Sequence, residues 1–191
     1  MSGQFPWYVA RSAGLVAWAL LAASVLWGLA LSTKILSPKV RPNWILDLHR
    51  WLGGLALTFT GIHVGAFLLD TYVHFGLVSV LVPFATSWHP GAVAWGIVSL
   101  YLLLAVEITS LLKARIPKSV WRKTHFASFV LFVTSTFHGL TAGSDTGATM
   151  LRIGVLMTAA LFAGLTADRI IEAADPTPRP NPRPKSLRLD G

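Results

Sequence analysis

The chain has 191 residues, 53% of them hydrophobic and only 13% charged, against about 25% charged in soluble domains, which points to a membrane rather than a soluble globular domain. The absence of cysteine excludes disulfides, iron–sulfur clusters and thiolate zinc sites. A net charge of +8 invites a nucleic-acid reading, but the basic residues stand at the ends of apolar stretches, which is the positive-inside signature of a membrane protein and argues for no nucleic-acid partner.

A spanning helix needs about 20 mostly apolar residues. Five stretches reach that length: Ser12–Thr33, Ile45–Leu69, Ala92–Leu112, Ser119–Thr141 and Met150–Ile171. The first is span length rather than signal length and lacks a basic flank, so no cleavable signal is evident. All eleven prolines fall outside these stretches, as expected of a residue that breaks the helical hydrogen-bond ladder. The layout is therefore an N-terminal segment (residues 1–11), a transmembrane domain (12–172) and a proline-rich basic tail (173–191). The tail cannot bury a core and is expected to be extended and disordered near anionic headgroups.

Lys and Arg placement sets the topology. Lys34, Lys39 and Arg41 occupy the first connection, and Lys113, Arg115 and Lys118 the third. Arg179, Arg183, Lys185 and Arg188 lie in the tail. The opposite side carries only Arg11 and Arg152. The expected fold is an all-α membrane protein, a bundle of five transmembrane helices in the cell's inner (plasma) membrane, with the N-terminus outside and the C-terminus cytoplasmic. The second connection, residues 70–91, has no Lys or Arg. Its apolar middle, FGLVSVLVPFATSW, is too short to span and is expected to lie at the outer interface or dip into the membrane.

Four of the six histidines fall inside spans: His49 and His63 in the second, His125 and His138 in the fourth. Each pair is separated by about 20 Å along its helix. Both helices run outward, so His49 and His125 share an inner depth and His63 and His138 an outer one. Two ligands at one depth from facing helices suit a six-coordinate b-type haem, and two depths suggest two haems. The helical phase supports this in the second span, where fourteen residues return to within about 40° of the same face. In the fourth, thirteen residues leave the histidines roughly 140° apart on a straight helix.

Gly53, Gly54, Gly61, Gly65 and Gly139 lie near these histidines and can admit a flat ring or simply a packed helix. Arg50 and Arg122, with Lys123, flank the inner histidines, and Arg11 and Arg152 stand on the outer side. These cations suit haem propionates, or serve only as topology signals. Trp51, Phe126, Phe129 and Phe132 are candidates to lie near a haem or merely to pack. Glu107 is an intramembrane carboxylate open to a proton or quinone role, or to pairing with Lys113 or Arg115. His74 and His89 read as loop residues. A single buried histidine can serve only as an interhelical hydrogen-bonding group.

The paired histidines, with LDLHRWLGGLAL and VWRKTHFASFVLFVTSTFHGLTAG around them, resemble the ferric reductase-like transmembrane domain. That family includes the membrane cores of NADPH oxidases and ferric reductases and the haem-binding subunit of the periplasmic methionine sulfoxide reductase. The resemblance covers nearly all of residues 10–172. It implies two b haems, held by His49 with His125 and by His63 with His138, that carry electrons across the membrane. Unlike the oxidases, this chain has no GxGxxG and one span fewer than a six-span core. Its electron donor is then expected to be a cytoplasmic flavoprotein or a membrane quinol, and its acceptor to lie outside. Two alternatives stand beside this relay: a quinol-fed haem subunit of a periplasmic reductase, and a non-redox transporter that uses the histidines as ligands or proton sites.

Overall fold

The computed structural model describes residues 4–32, 42–70, 75–145 and 147–174. These residues form six helices and no strand: α1 (Phe5–Ser32), α2 (Pro42–Leu68), α3 (Leu77–Leu81), α4 (Pro90–Leu111), α5 (Lys118–Ala142) and α6 (Thr149–Ala174). His74, Lys34, Lys39, Arg41 and the tail beyond residue 174 lie outside the described residues. The five long helices match the five expected stretches, but α1 starts at Phe5 and takes in most of the segment expected to precede the first span. Proline sits at the start of helices rather than within them, at Pro42 and at Pro90 in the first turn of α4, where its missing N–H costs nothing.

Four helices have the length and apolarity to cross a membrane: α1, α2, α4 and α6. The fourth expected span, α5, has 25 residues, about 37 Å at 1.5 Å per residue, but is less apolar than the others. Its sequence explains this. Lys118, Arg122 and Lys123 occupy its start, and Ser and Thr hydroxyls with two histidines punctuate the rest. Thr134, Ser135 and Thr136 bond back to carbonyls of their own helix, so these hydroxyls need no water.

The long helices form two antiparallel hairpins, α1 with α2 and α4 with α5, and α6 lies against α1. Small residues make the first hairpin tight: Ala10, Ala13, Ala17 and Ser24 recur along the buried side of α1 at helical spacing. Hydrogen bonds pin the helices where apolar contact cannot discriminate protein from lipid. Trp27 Nε1 donates to the Ile45 carbonyl (3.0 Å), Trp18 Nε1 to Thr136 Oγ1 (3.0 Å), and Ser99 Oγ to Thr134 Oγ1 (2.8 Å). The core between the hairpins comprises Leu21, Val25, Leu29, Ala56, Leu103, Leu131 and Phe132. By contrast α2 and α5 face each other across the bundle with far less backbone contact than the partners within each hairpin.

The connection before α4 holds the short helix α3, and Tyr101 Oη anchors its end by donating to the Leu81 carbonyl (2.6 Å). Leu77, Val78 and Phe84 around it are exposed. An exposed apolar turn suits an interfacial segment. At its end His89 takes a left-handed backbone conformation (φ 40°) and precedes the first turn of α4.

Candidate functional site

The gap between α2 and α5 is bridged at two levels by imidazole rings. His49 faces His125 with ring centroids 5.9 Å apart, and His63 faces His138 at 6.1 Å. The pairing follows chain order in both helices, so α2 and α5 run parallel. The planes cross at 77° and 80°. A metal–nitrogen bond of about 2.0 Å plus about 1.1 Å from nitrogen to ring centre, counted for both rings, separates two axial imidazoles by about 6.2 Å. Both pairs have the spacing that one metal between them requires.

Three of the four rings are fixed by the same device. The ring Nδ1 donates to a carbonyl on the neighbouring helix: His63 to Ala10 (2.7 Å), His138 to Ala92 (2.8 Å) and His49 to Ser24 (3.1 Å). A carbonyl can only accept, so Nδ1 carries the proton and Nε2 keeps its lone pair for a ligand. Four residues beyond each carbonyl stands a glycine against which the ring lies. A Cβ on Gly14 would fall 2.7 Å from Nδ1 of His63, one on Gly96 2.7 Å from Cε1 of His138, and one on Gly28 3.1 Å from Cε1 of His49. Gly14 and Gly28 are fourteen residues apart, the same interval as His49 and His63. Antiparallel packing of α1 on α2 brings Gly14 to His63 and Gly28 to His49.

The glycines expected to matter do not share this role. An added Cβ on Gly54, Gly61, Gly65 or Gly139 would meet nothing within 4 Å, and Gly53 lies against the Glu107 carboxylate instead. The signal that locates the right ones is the repeated fourteen-residue interval in α1, on the helix opposite the histidines.

His125 is the exception. Its Nδ1 is buried with no hydrogen-bond partner, and its ring stacks on Trp121 of the same helix (5.2 Å, 24°). The thirteen-residue interval on α5 is the cause. It turns His138 towards α4, where Ala92 and Gly96 receive it, and leaves His125 about 140° away on the helix. The phase mismatch is taken up by two side chains that leave α5 in different directions and still meet α2.

Each pair lines its own cavity. His49 and His125 line one of about 430 Å³, with Glu107, Lys118, Arg122 and Arg169. His63 and His138 line one of about 210 Å³ towards the opposite end, with Arg11, Asp145 and Trp88. Leu21, Leu103 and Leu131 line both cavities and form the wall between them; Leu131 is only 2% exposed. Beside His63 runs an aromatic cluster in which Phe67 meets His63 (5.0 Å) and Phe75 (5.3 Å), and Phe75 meets Trp88 (6.0 Å).

The expected cations divide. Arg122 lines the first cavity and Arg11 the second. Arg11 is already engaged, through Nε and Nη2, by the Asp145 carboxylate. Arg50 lines neither cavity and pairs with Asp47 one turn earlier (3.2 Å), in an exposed position. Arg152 also lines neither. Lys118 and Arg169 were not expected at a site: Lys118 read as part of a connection, and the approach of Arg169 on α6 to this end cannot be read from local pattern. Of the aromatics, Phe126 and Phe129 line the first cavity, Phe132 lies in the core, and Trp51 is 71% exposed. His89 packs on Trp88 (4.6 Å).

The family model described as "Ferric reductase like transmembrane component" matches residues 13–136. The chain belongs to this family. As a ferric reductase-like transmembrane component it is a multi-pass membrane protein and a membrane electron-transfer component, in a family associated with haem-binding cytochrome domains. The matched residues include His49, His63 and His125 and end just before His138. No curated protein and no solved structure matched the chain.

Proposed function

We propose that this protein is a b-type cytochrome that relays electrons across the membrane between a separate donor and an acceptor outside, through two bis-histidine haems. The basic end, with Lys118, Arg122 and Arg169, is read as cytoplasmic, so His49 and His125 form the inner site and His63 and His138 the outer. The reading adds α5 to the four apolar helices as a fifth span whose polar face is turned inward. The observation that carries it is the pair of facing imidazoles, repeated at two depths, each at the separation of two axial ligands on one metal.

Other features fit a planar macrocycle. A haem would need from the chain only the two facing imidazoles at each level. The gap between α2 and α5 is where a flat group enters. Bound haem would supply one-electron redox chemistry. The chain's own part is to present Nε2 lone pairs, hold ring orientation through backbone carbonyls, and keep the sites in a dry setting. Arg122 with Lys118 and Arg169 suits the inner propionates. At the outer site Arg11 offers a guanidinium that now holds Asp145.

The test is to purify the protein in mild detergent, record oxidised and dithionite-reduced spectra, and count haem by pyridine haemochrome. The expected result is sharp reduced bands of bis-histidine haem and close to two haems per chain. A colourless protein that cannot be reconstituted would end the reading and bring a transporter forward.

One observation favours a quinol as donor. Glu107 lines the inner cavity with both histidines, its carboxylate against Gly53 one turn beyond His49. A quinol gives up two protons with its two electrons, and an intramembrane carboxylate is placed to take the first. Added quinol is expected to reduce the inner haem, and Glu107→Gln to slow this step by about 10²-fold, as for loss of a general base. Reduction of the variant at the wild-type rate would remove Glu107 from the route.

A further inference from the structure

We infer that Trp121 is a positioning residue for the inner site: it holds His125 by stacking, where the other three histidines are held by a carbonyl, and Lys113 in turn holds Trp121. The inference rests on the haem reading above. An axial imidazole must keep its ring orientation as well as its place, and a bond from its second nitrogen is the usual means. His49, His63 and His138 have that bond. Among the described residues Nδ1 of His125 has no partner, although it is buried. What meets this ring is the Trp121 indole, with centroids 5.2 Å apart and planes only 24° from parallel. Turning the imidazole about its Cβ–Cγ bond would break that face contact, so the stack restrains the rotation that a carbonyl restrains elsewhere.

The indole is itself free of a hydrogen bond, since its Nε1 is also buried without a partner. Its hold is the ammonium of Lys113, whose Nζ lies 4.0 Å from the ring centroid, within reach of a cation–π contact.

The sequence arranges both contacts. Trp121 and His125 are four residues apart on α5, so their side chains share a face. Only a short turn separates the end of α4 at Leu111 from the start of α5 at Lys118. The Arg115 N–H donates to the Leu112 carbonyl (2.7 Å) and tightens that turn, which brings Lys113 back over the first turns of α5. A lysine that served only as a topology signal need only lie at this end of the bundle; this one covers an aromatic ring. Lys113 is exposed, whereas Trp121 and His125 are half-buried. The file Lys113–Trp121–His125 therefore runs from a surface turn to a ligand.

The His63→Ala chain, which keeps only the inner site, is the background for the test. The low-spin EPR signal of its ferric haem reports the angle between the imidazole planes, 77° for His49 and His125, and capture by excess apomyoglobin reports haem loss. Trp121→Leu keeps an apolar side chain without a ring. It is expected to shift the signal and to speed haem loss about tenfold, and Trp121→Phe to restore both. Lys113→Gln is expected to act in the same direction by a smaller factor, about threefold, and Lys113→Arg to restore it. In the His49→Ala chain, which keeps only the outer site, the same substitutions are expected to change nothing. A Trp121→Leu chain with signal and haem loss unchanged overturns the inference. So does a Trp121→Phe chain that behaves like Trp121→Leu, a Lys113→Gln chain that changes neither readout, or an equal loss at the outer site. If Trp121→Leu fails to fold, the Lys113 variants decide, because that side chain is exposed. A wild-type chain without haem fails the earlier reading before any variant is compared, so the two failures are distinct.

Discussion

His63→Ala is expected to leave one haem per chain in place of the two proposed for the wild type, with the remaining haem spectrally intact. His63 is half-buried beside Phe67, bonded to Ala10 and faced by His138. Its truncation removes one proposed ligand and the hydrogen bond to the Ala10 carbonyl. His138→Ala should give the same result, because either loss opens the same site. His49→Ala or His125→Ala should empty the other. Haem counts and reduced spectra of the four single variants, and of a double variant across sites, check the scheme. Within a pair, loss is expected not to add; across pairs it should add to a colourless protein. If His63→Ala and His49→Ala were both to retain two haems, the ligand assignment would fall. Structural damage is expected to be modest, because the bundle is held by Ala-rich α1–α2 packing and by interhelical bonds that do not involve these rings.

The second large effect is expected from glycines that touch no substrate. Gly96→Val or Gly14→Val should abolish the outer haem without altering either ligand. A Cβ at Gly96 would stand 2.7 Å from His138, and at Gly14 2.7 Å from His63, closer than any real Cβ contact, so the ring must leave its carbonyl. Overpacking a filled interior costs roughly 1–3 kcal/mol, and here the cost falls on the orientation of a ligand. Even alanine should weaken binding at these positions. Gly54→Ala and Gly61→Ala are the controls, because an added Cβ there meets nothing within 4 Å; both should retain two haems and gain slightly in helix propensity. Thermal titration of haem loss in the four variants separates the classes. If the Gly96 and Gly54 variants behaved alike, the cradle would have no role.

These two results bear on what could be read from the chain alone. The five long helices, the four histidines in them and the facing of His49 with His125 and His63 with His138 follow from apolar length and matched depth, although only four of the described helices are apolar enough to cross a membrane. Length and histidine depth are properties of single helices, and matching depths on two parallel helices is enough to pair the rings. The cradle was missed because it is a property of two helices. Glycines were sought beside the histidines, whereas those that lie against the rings are on the opposite helices, marked in α1 by a shared fourteen-residue interval. The cations show the same limit: Arg50 has an acceptor one turn away in Asp47, and Arg11 finds Asp145 across 134 positions of sequence. Local pattern places a charge near a site but does not say which neighbour will claim it. The moderate apolarity of α5 reflects its burden: a helix that carries both histidines and a row of hydroxyls on its inner side cannot also be uniformly greasy.

The wall of Leu21, Leu103 and Leu131 between the two cavities has a consequence for energy conversion. An apolar layer of this kind stays dry and offers no hydrogen-bonded chain for a proton to follow. The hydroxyls of Thr134 and Ser99 are committed to each other and to backbone carbonyls. Electrons tunnel through such a layer, whereas hydrated protons and ions stop at it. A charge that crosses therefore crosses uncompensated. In the proposed orientation each electron leaving the cytoplasmic side would move with the membrane voltage, gaining up to about 2.3 kcal/mol per 100 mV for full transit. The bundle would then act as an insulated conductor, able to draw on the cell's electrical gradient to carry electrons outward.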